Sequence, residues 1–360
     1  MKKLFLLVPV AALVMTACTS ESTESVGATA QQPQEISFAP LNLPSTRTTI
    51  VTGTEFPTDY NFYIAAYSAS PAPGGDYFAK SEFAWTSTGT IWAGATTSDK
   101  QYWPLGDATL NFLAITKAGS RTTTFNAAHA ASEVVVNFTD NSAIATQHDL
   151  MWSYAQATVA QVVNGLSFNH GGTAGVSPVT MVFQHAESQV NFKIKAGDQV
   201  TEDAGLTLTS ITLNDGNYAG TYTLTFDDYA ATAAPSAPTG VWSGVTDPTP
   251  SNPDVVAPQT TANMPITQSS DASTIGAGIL VVPNPNKTEE NLNESFKSFT
   301  IAYKMNGRDY TYTYTPDIAQ RRLVQDTKYV FNITMTLQEI QVSATVDEWT
   351  PASESAVAIP

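Results

Sequence analysis

Along most of the chain, apolar and polar residues alternate with a period of two. In residues 309–315, Tyr310, Tyr312 and Tyr314 fall on one face while Thr311, Thr313 and Thr315 fall on the other, the spacing of a half-buried β-strand. The run Thr221-Tyr222-Thr223-Leu224-Thr225-Phe226 alternates in the same way. Val190-Asn191-Phe192-Lys193-Ile194-Lys195 sets apolar residues inward and lysines outward. Each predicts a strand with one buried face.

The parity of the apolar positions changes twice. Phe331, Ile333, Met335 and Leu337 are odd-numbered, whereas Ile340, Val342, Ala344 and Val346 are even-numbered. A shift of one residue turns every later side chain to the other face, so a bulge or tight turn is expected near Gln338-Glu339. The same change between Val179, Met181, Phe183 and the set beginning at Val190 predicts a break near Glu187-Ser188. Turn sequences at Pro73, Asn214 and Asn306 make hairpins the expected connection. Helical periodicity is confined to one short candidate, residues 124–133, and residues 230–271 read as a long exposed loop. The pattern predicts an all-β fold, most simply two β-sandwich domains in tandem. A Gly-, Asn- and Ser-rich stretch, 164–177, marks the boundary, giving domains at 35–172 and 173–350 and a short tail at 351–360.

The N-terminus departs from this pattern. Met1-Lys2-Lys3 precedes an apolar run, Leu4 to Val14, too short to span a bilayer, and Met15-Thr16-Ala17 leads into Cys18. A basic start, an apolar segment and a small residue before cysteine are the requirements for export and acylation. Residues 1–17 are therefore read as a lipoprotein signal peptide, with Cys18 as the lipidation site and a lipid membrane as its partner. Residues 18–34 carry no apolar periodicity and read as a flexible tether.

Composition narrows the chemistry. Cys18 is the only cysteine among 360 residues, so no second thiol exists for a disulfide, a thiolate metal site or a cysteine nucleophile. The formal net charge is −16, from 32 acidic and 16 basic residues, which opposes binding to a phosphate backbone and excludes nucleic acid as the expected partner.

Several short motifs resemble, in order, those of the fimbrillin family of Bacteroidetes, the Mfa-like or fimbrillin-like subunits of lipoprotein-derived type V pili. They are the lipobox, Tyr102-Trp103-Pro104 before Leu110-Asn111-Phe112-Leu113-Ala114, and Asp149-Leu150-Met151-Trp152. Further on come Val182-Phe183-Gln184-His185-Ala186 leading into Val190-Asn191-Phe192-Lys193, and Ala344-Thr345-Val346-Asp347-Glu348-Trp349. The resemblance implies two transthyretin-like Greek-key β-sandwich domains and a function in cell-surface fimbriae, in adhesion or biofilm formation. It also implies cleavage by a trypsin-like protease behind an arginine in the loop after the first strand.

Arg47 is the candidate for that cut, because it is the only basic residue between Lys3 and Lys80. It lies in Pro44-Ser45-Thr46-Arg47-Thr48-Thr49, where a proline and small hydroxyl residues favour an exposed loop. Thr48 would become the new N-terminus. The removable segment, 35–47, carries Ile36, Phe38, Leu41 and Leu43. Its loss would uncover an apolar groove and two unpaired sheet edges, open to another fimbrial subunit's extended segment by β-strand addition.

The donor strand is less determined. Either the strand bearing Ile340, Val342, Ala344 and Val346 detaches to fill a neighbour, or this subunit receives a strand and offers none. The poorly alternating tail at 351–360 favours the second option, a tip or accessory subunit rather than a shaft subunit. A host or bacterial surface receptor, or a glycan, is the partner expected at such a position.

No catalytic constellation stands out. His129, His148, His170 and His185 are scattered without metal-ligand spacing, and Asp227-Asp228 and Glu289-Glu290 lack the ligand spacing of a Ca²⁺ loop. No cofactor and no enzymatic activity are expected. The alternative function is a monomeric surface lipoprotein binding glycans through exposed aromatics, for which Trp85, Trp92, Trp103 and Trp242 are the candidates.

Overall fold

Among the described residues, the period-two segments form strands that divide between one closed barrel and three open sheets. The structure, a computed structural model, describes residues 35–41, 56–70, 75–87, 91–104, 109–117, 122–125, 133–138, 142–143, 147–158, 178–201, 204–225, 239–259, 262–268, 272–276, 278–285, 294–336 and 340–348. By their contacts, the described residues form one compact unit.

Seven strands pair in a ring. Their order is β1 (Phe38–Leu41), β4 (Ile91–Gly94), β3 (Gly75–Thr86), β2 (Phe62–Ser70), β5 (Thr109–Thr116), β8 (Met151–Thr158) and β9 (Val179–His185). β9 returns to pair with β1 in parallel. An aromatic-rich core of Phe38, Phe56, Phe62, Phe83, Phe112 and Phe183 fills the interior. β9 alternates buried and exposed residues strictly along its length, whereas β5 buries residues of both faces. The second face of β5 is explained by the sheet outside it.

That sheet has the order β13 (Thr239–Ser243), β12 (Gly220–Thr225), β7 (Glu133–Phe138) and β6 (Thr122–Phe125). Tyr222, Leu224 and Trp242 from it pack with Leu113 and Ile115 of β5 and Trp152 of β8 in a second core. A strand buried on both faces reads as a continuous apolar run, as Leu110 to Ala114 nearly does.

The remaining two sheets form a sandwich. One contains β16 (Ser273–Thr274), β10 (Ser188–Ala196), β20 (Thr327–Met335) and β21 (Ile340–Glu348), with β17 (Ile279–Val281) also on β10. The other contains β14 (Val255–Val256), β11 (Thr207–Asn214), β18 (Ser298–Met305) and β19 (Arg308–Tyr314), with β15 (Met264–Pro265) on β11. Val190, Phe192 and Ile194 face Leu208, Ile211, Phe299 and Ile301 across a third core. The single short helix among the described residues is α1 (Ile318–Arg321). Its Arg321 meets the buried Glu294 carboxylate, which Lys297 also contacts.

The chain is all-β, as the alternation predicts. The phase change before Ile340 lies at the β20–β21 hairpin, where Met335 pairs with Ile340. The change after Phe183 lies at Ala186-Glu187, where the chain leaves the barrel through β9 and enters the sandwich through β10. Asn306-Gly307, both with positive φ, closes the β18–β19 hairpin.

Several expectations are corrected. Asn214 does not start a hairpin: β11 pairs with β18, and β12 pairs with β7 and β13 instead. Asp215, at φ 53°, turns the chain from one sheet to another. Thr124 and Phe125 lie in β6 rather than in a helix, because pairing to β7 overrides the weak local periodicity. Residues 230–271 are not one loop, since β13, β14 and β15 lie among them. The sheets also cross the expected boundary between 35–172 and 173–350. β9 pairs with β8 and β1 in the barrel, while β6 and β7 join the sheet of β12 and β13.

Candidate functional site

β1 is the strand that closes the barrel. It pairs in parallel with β9 over four positions, Phe38 with Val179 through Leu41 with Val182, and antiparallel with β4 at Phe38 and Trp92. Flanking hydrogen bonds extend this seam. The Val179 N–H donates to the Ser37 carbonyl at 2.8 Å, and the Ile36 N–H donates to the Gln101 carbonyl at 2.7 Å. Glu35 forms an isolated bridge with Tyr102. By comparison, β20 and β21 pair over nine positions, so β1 is held by the shorter ladder. Pro40, in the middle of it, has no N–H to give.

Side-chain packing compensates for the short ladder. Ile36 and Phe38 are 0 % exposed, and Pro40 is also buried. The Phe38 ring makes edge contacts with three others, at centroid distances of 4.8 Å to Phe83, 5.2 Å to Phe112 and 6.2 Å to Phe62. Such pairs contribute about 0.5–1.5 kcal/mol each beyond area burial. Trp92, opposite Phe38 on β4, donates its indole N–H to the Tyr60 carbonyl at 3.0 Å. At the surface end of the seam, Lys100 Nζ lies 2.8 Å from Glu35 Oε2, an exposed pair of small energetic weight. The barrel wall around β1 is therefore apolar inside, with one strand edge on each side that only β1 covers.

Of the residues expected to act here, Ile36 and Phe38 are seated in the slot and Leu41 ends β1. Cys18, Leu43, Arg47 and Thr48 lie outside the described residues, as does the Leu41 side chain. The candidate donor positions are in β21, an edge strand with β20 as its neighbour. Ile340, Val342 and Ala344 are half-buried against the sandwich core, and Val346 is 62 % exposed.

A second polar constellation lies where β9 passes into β10. His185 Nδ1 is 2.8 Å from Asp149 Oδ2, with both side chains almost fully buried. The His185 N–H donates to Asp326 Oδ1 at 3.2 Å, and the Leu150 N–H donates to Glu187 Oε2 at 3.1 Å. Burial pushes the Asp326 carboxyl up to about 6, opposed by His185 and reinforced by the charge of Asp149. Gln147, completely buried, exchanges two hydrogen bonds of 3.0 Å with the Leu280 backbone. Trp242 Nε1 donates to the Ala186 carbonyl. These contacts fasten the barrel, the outer sheet and the sandwich to one corner. Among the described residues, no group of three or more His, Cys, Asp or Glu is placed to hold a metal ion.

The tryptophans expected as a sugar-stacking surface lie elsewhere. Trp92, Trp103 and Trp242 are buried, and Trp85 packs on Trp92 at 4.7 Å. Trp242, assigned to an exposed loop from the sequence, sits in β13 because its ring completes the core shared with Tyr222, at 5.0 Å. Among the described residues, the exposed large aromatics are Tyr77, Tyr102, Tyr310 and Tyr312.

The geometry defines a class: a multi-sheet β-protein whose first barrel is closed by its own N-proximal strand. The chain belongs to the fimbrillin-like family, whose model matches residues 46–349, and it is thus a fimbrial subunit of the cell surface. Among solved structures it is similar in fold to a fimbrial protein from Bacteroides vulgatus, at 14% identity and a TM-score of 0.53, covering 88% of this chain and 100% of that one. A fimbrial assembly protein from Parabacteroides distasonis matches at 9% identity and a TM-score of 0.40, covering 88% and 99%. The C-terminally truncated tip fimbrial protein Mfa3 from Porphyromonas gingivalis matches at 10% identity and a TM-score of 0.36, covering 81% and 94%. No curated protein sequence matches.

Proposed function

We propose that this protein is the lipoprotein precursor of a fimbrial subunit that is activated by loss of β1. The signal peptide at 1–17 directs export, and acylation of Cys18 anchors the precursor in the outer membrane. A trypsin-like protease cuts after Arg47, leaving Thr48 as the N-terminus and freeing the strand that closes the barrel. Another subunit's strand then fills the slot, and the assembled fimbria serves adhesion or biofilm formation.

The observation that carries this reading is the position of β1. It precedes Arg47 in the chain, inserts between β4 and β9, and buries Ile36 and Phe38 completely. Its departure would leave two unpaired strand edges around an apolar slot, which is the template for β-augmentation. Burial of Ile36 and Phe38 is worth roughly 3–6 kcal/mol, below or near the cost of association. The backbone ladder and slow exchange of the replacement strand must supply the remainder, so the polymer's persistence is partly kinetic.

We further propose a tip or accessory position. β21 is fully engaged in its own sandwich through nine paired positions, and withdrawing it would expose the core face carrying Tyr329, Phe331 and Ile333. A subunit that keeps β21 receives a strand without offering one. The reading is tested by Arg47→Ala in the native host. Filaments containing this subunit should disappear while the lipidated precursor accumulates, whereas unchanged filaments would contradict it.

A further inference from the structure

The slot selects its occupant by shape. Ile36 and Phe38 face inward two residues apart, on a strand that runs parallel to β9 and antiparallel to β4. The incoming strand must keep that direction and present an apolar residue followed, two positions later, by a side chain filling the site among Phe62, Phe83 and Phe112. All three rings meet Phe38 at interplanar angles of 79–85°. That enclosure fits a flat aromatic ring, and a smaller aliphatic side chain would leave a cavity and forfeit the edge contacts.

The chain's own β21 does not meet this requirement. Its half-buried positions are Ile340, Val342 and Ala344, and the exposed Val346 shares their parity, so the largest apolar side chain that face could offer is an isoleucine. The nearest aromatic, Trp349, has the opposite parity. Bringing Trp349 to the Phe38 position places Asp347, two residues earlier, at the Ile36 position, and a carboxylate without a partner is strongly disfavoured in an apolar interior.

We infer that the pocket formed by Phe62, Phe83 and Phe112 is the specificity determinant of the slot, and that it takes a strand of a different subunit carrying an apolar residue and then an aromatic two positions on, rejecting β21 of a second copy. The inference rests on the proposed replacement of β1 and adds which strand replaces it. The chain then joins a mixed fimbria by heterologous contact and does not form filaments by itself.

The test uses the full chain cut after Arg47, with the severed strand still seated so that the barrel is never empty. Three fluorescent peptides compete for the slot: a copy of residues 35–43, the same copy with Phe38→Ala, and a copy of residues 340–348. Anisotropy after mild denaturant follows exchange. The first peptide should enter and stay, the Phe38→Ala copy should bind on the order of 100-fold more weakly, and the β21 copy should not compete. Entry of the β21 copy within about threefold of the first peptide would overturn the specificity while leaving strand replacement intact, a threefold ratio being under 1 kcal/mol. Equal binding of the Phe38→Ala copy would do the same. If even the first peptide never enters, strand replacement itself fails and the selectivity falls with it.

Discussion

The Phe38 ring lies edge-on to the Phe83 ring, with centroids 4.8 Å apart and planes at 85°. This contact ties β1, which pairs with β4 at a single position, to β3 on the far side of β4. Truncating a fully buried phenylalanine removes both its transfer free energy and the contacts around the cavity it leaves. Phe38→Ala in the uncut chain is expected to lower unfolding stability by about 3–5 kcal/mol, read by urea denaturation. Glu35→Ala, which breaks only the exposed pair with Lys100, is expected to cost under about 1 kcal/mol. A similar small loss from both would mean that β1 does not hold the barrel closed.

Asp326 makes the barrel-to-sandwich corner sensitive to pH. Its folded pKa is raised from 3.8 to about 6, so the folded state holds its proton more tightly than the unfolded chain does. The charged carboxylate therefore penalises folding above pH 6, and the penalty fades as pH falls from 6 towards 4. Asp326→Asn keeps an acceptor for the His185 N–H and suits the positive φ of 58° at this position. It should raise stability at pH 7.5 by up to about 3 kcal/mol, with the gain shrinking towards pH 4.5. Thermal unfolding at the two pH values checks this; a gain of equal size at both would refute the assignment.

Gln147 connects the segment before β8 to β17 of the sandwich through reciprocal bonds to Leu280. Gln147→Ala leaves a buried donor and a buried acceptor without these partners and is expected to cost about 2–4 kcal/mol. Gln147→Glu should be worse at neutral pH, because a carboxylate cannot donate to the Leu280 carbonyl and is itself buried. Denaturation curves that leave Gln147→Glu at wild-type stability would remove Gln147 from the junction.

The sequence shows where strands are far better than which strands meet. Val190, Phe192 and Ile194 announce a buried face by their spacing, and the shift of phase before Ile340 announces a hairpin, because both depend on neighbours along the chain. The closure of the barrel depends on β1 meeting β9, with Phe38 opposite Val179, and no local pattern encodes that pairing. The same distance hides the polar corner: His185 and Asp326 are 141 residues apart in sequence. The burial of Trp242 is hidden for a related reason, since the Pro-, Ala- and Ser-rich residues around β13 mask a short strand whose burial comes from β5 and β8. In the slot, Ile36 and Phe38 were legible as an alternating pair, but the three rings around Phe38 come from three other strands.

Strand replacement is tested most directly by the N-terminus of the subunit inside intact, surface-sheared filaments. Mass spectrometry of that material should give a chain beginning at Thr48, with residues 35–47 missing and the Val179 amide still protected from hydrogen exchange by a strand from another subunit. Filaments whose subunits retain residues 35–47, or in which the Val179 amide exchanges freely once those residues are gone, would contradict it.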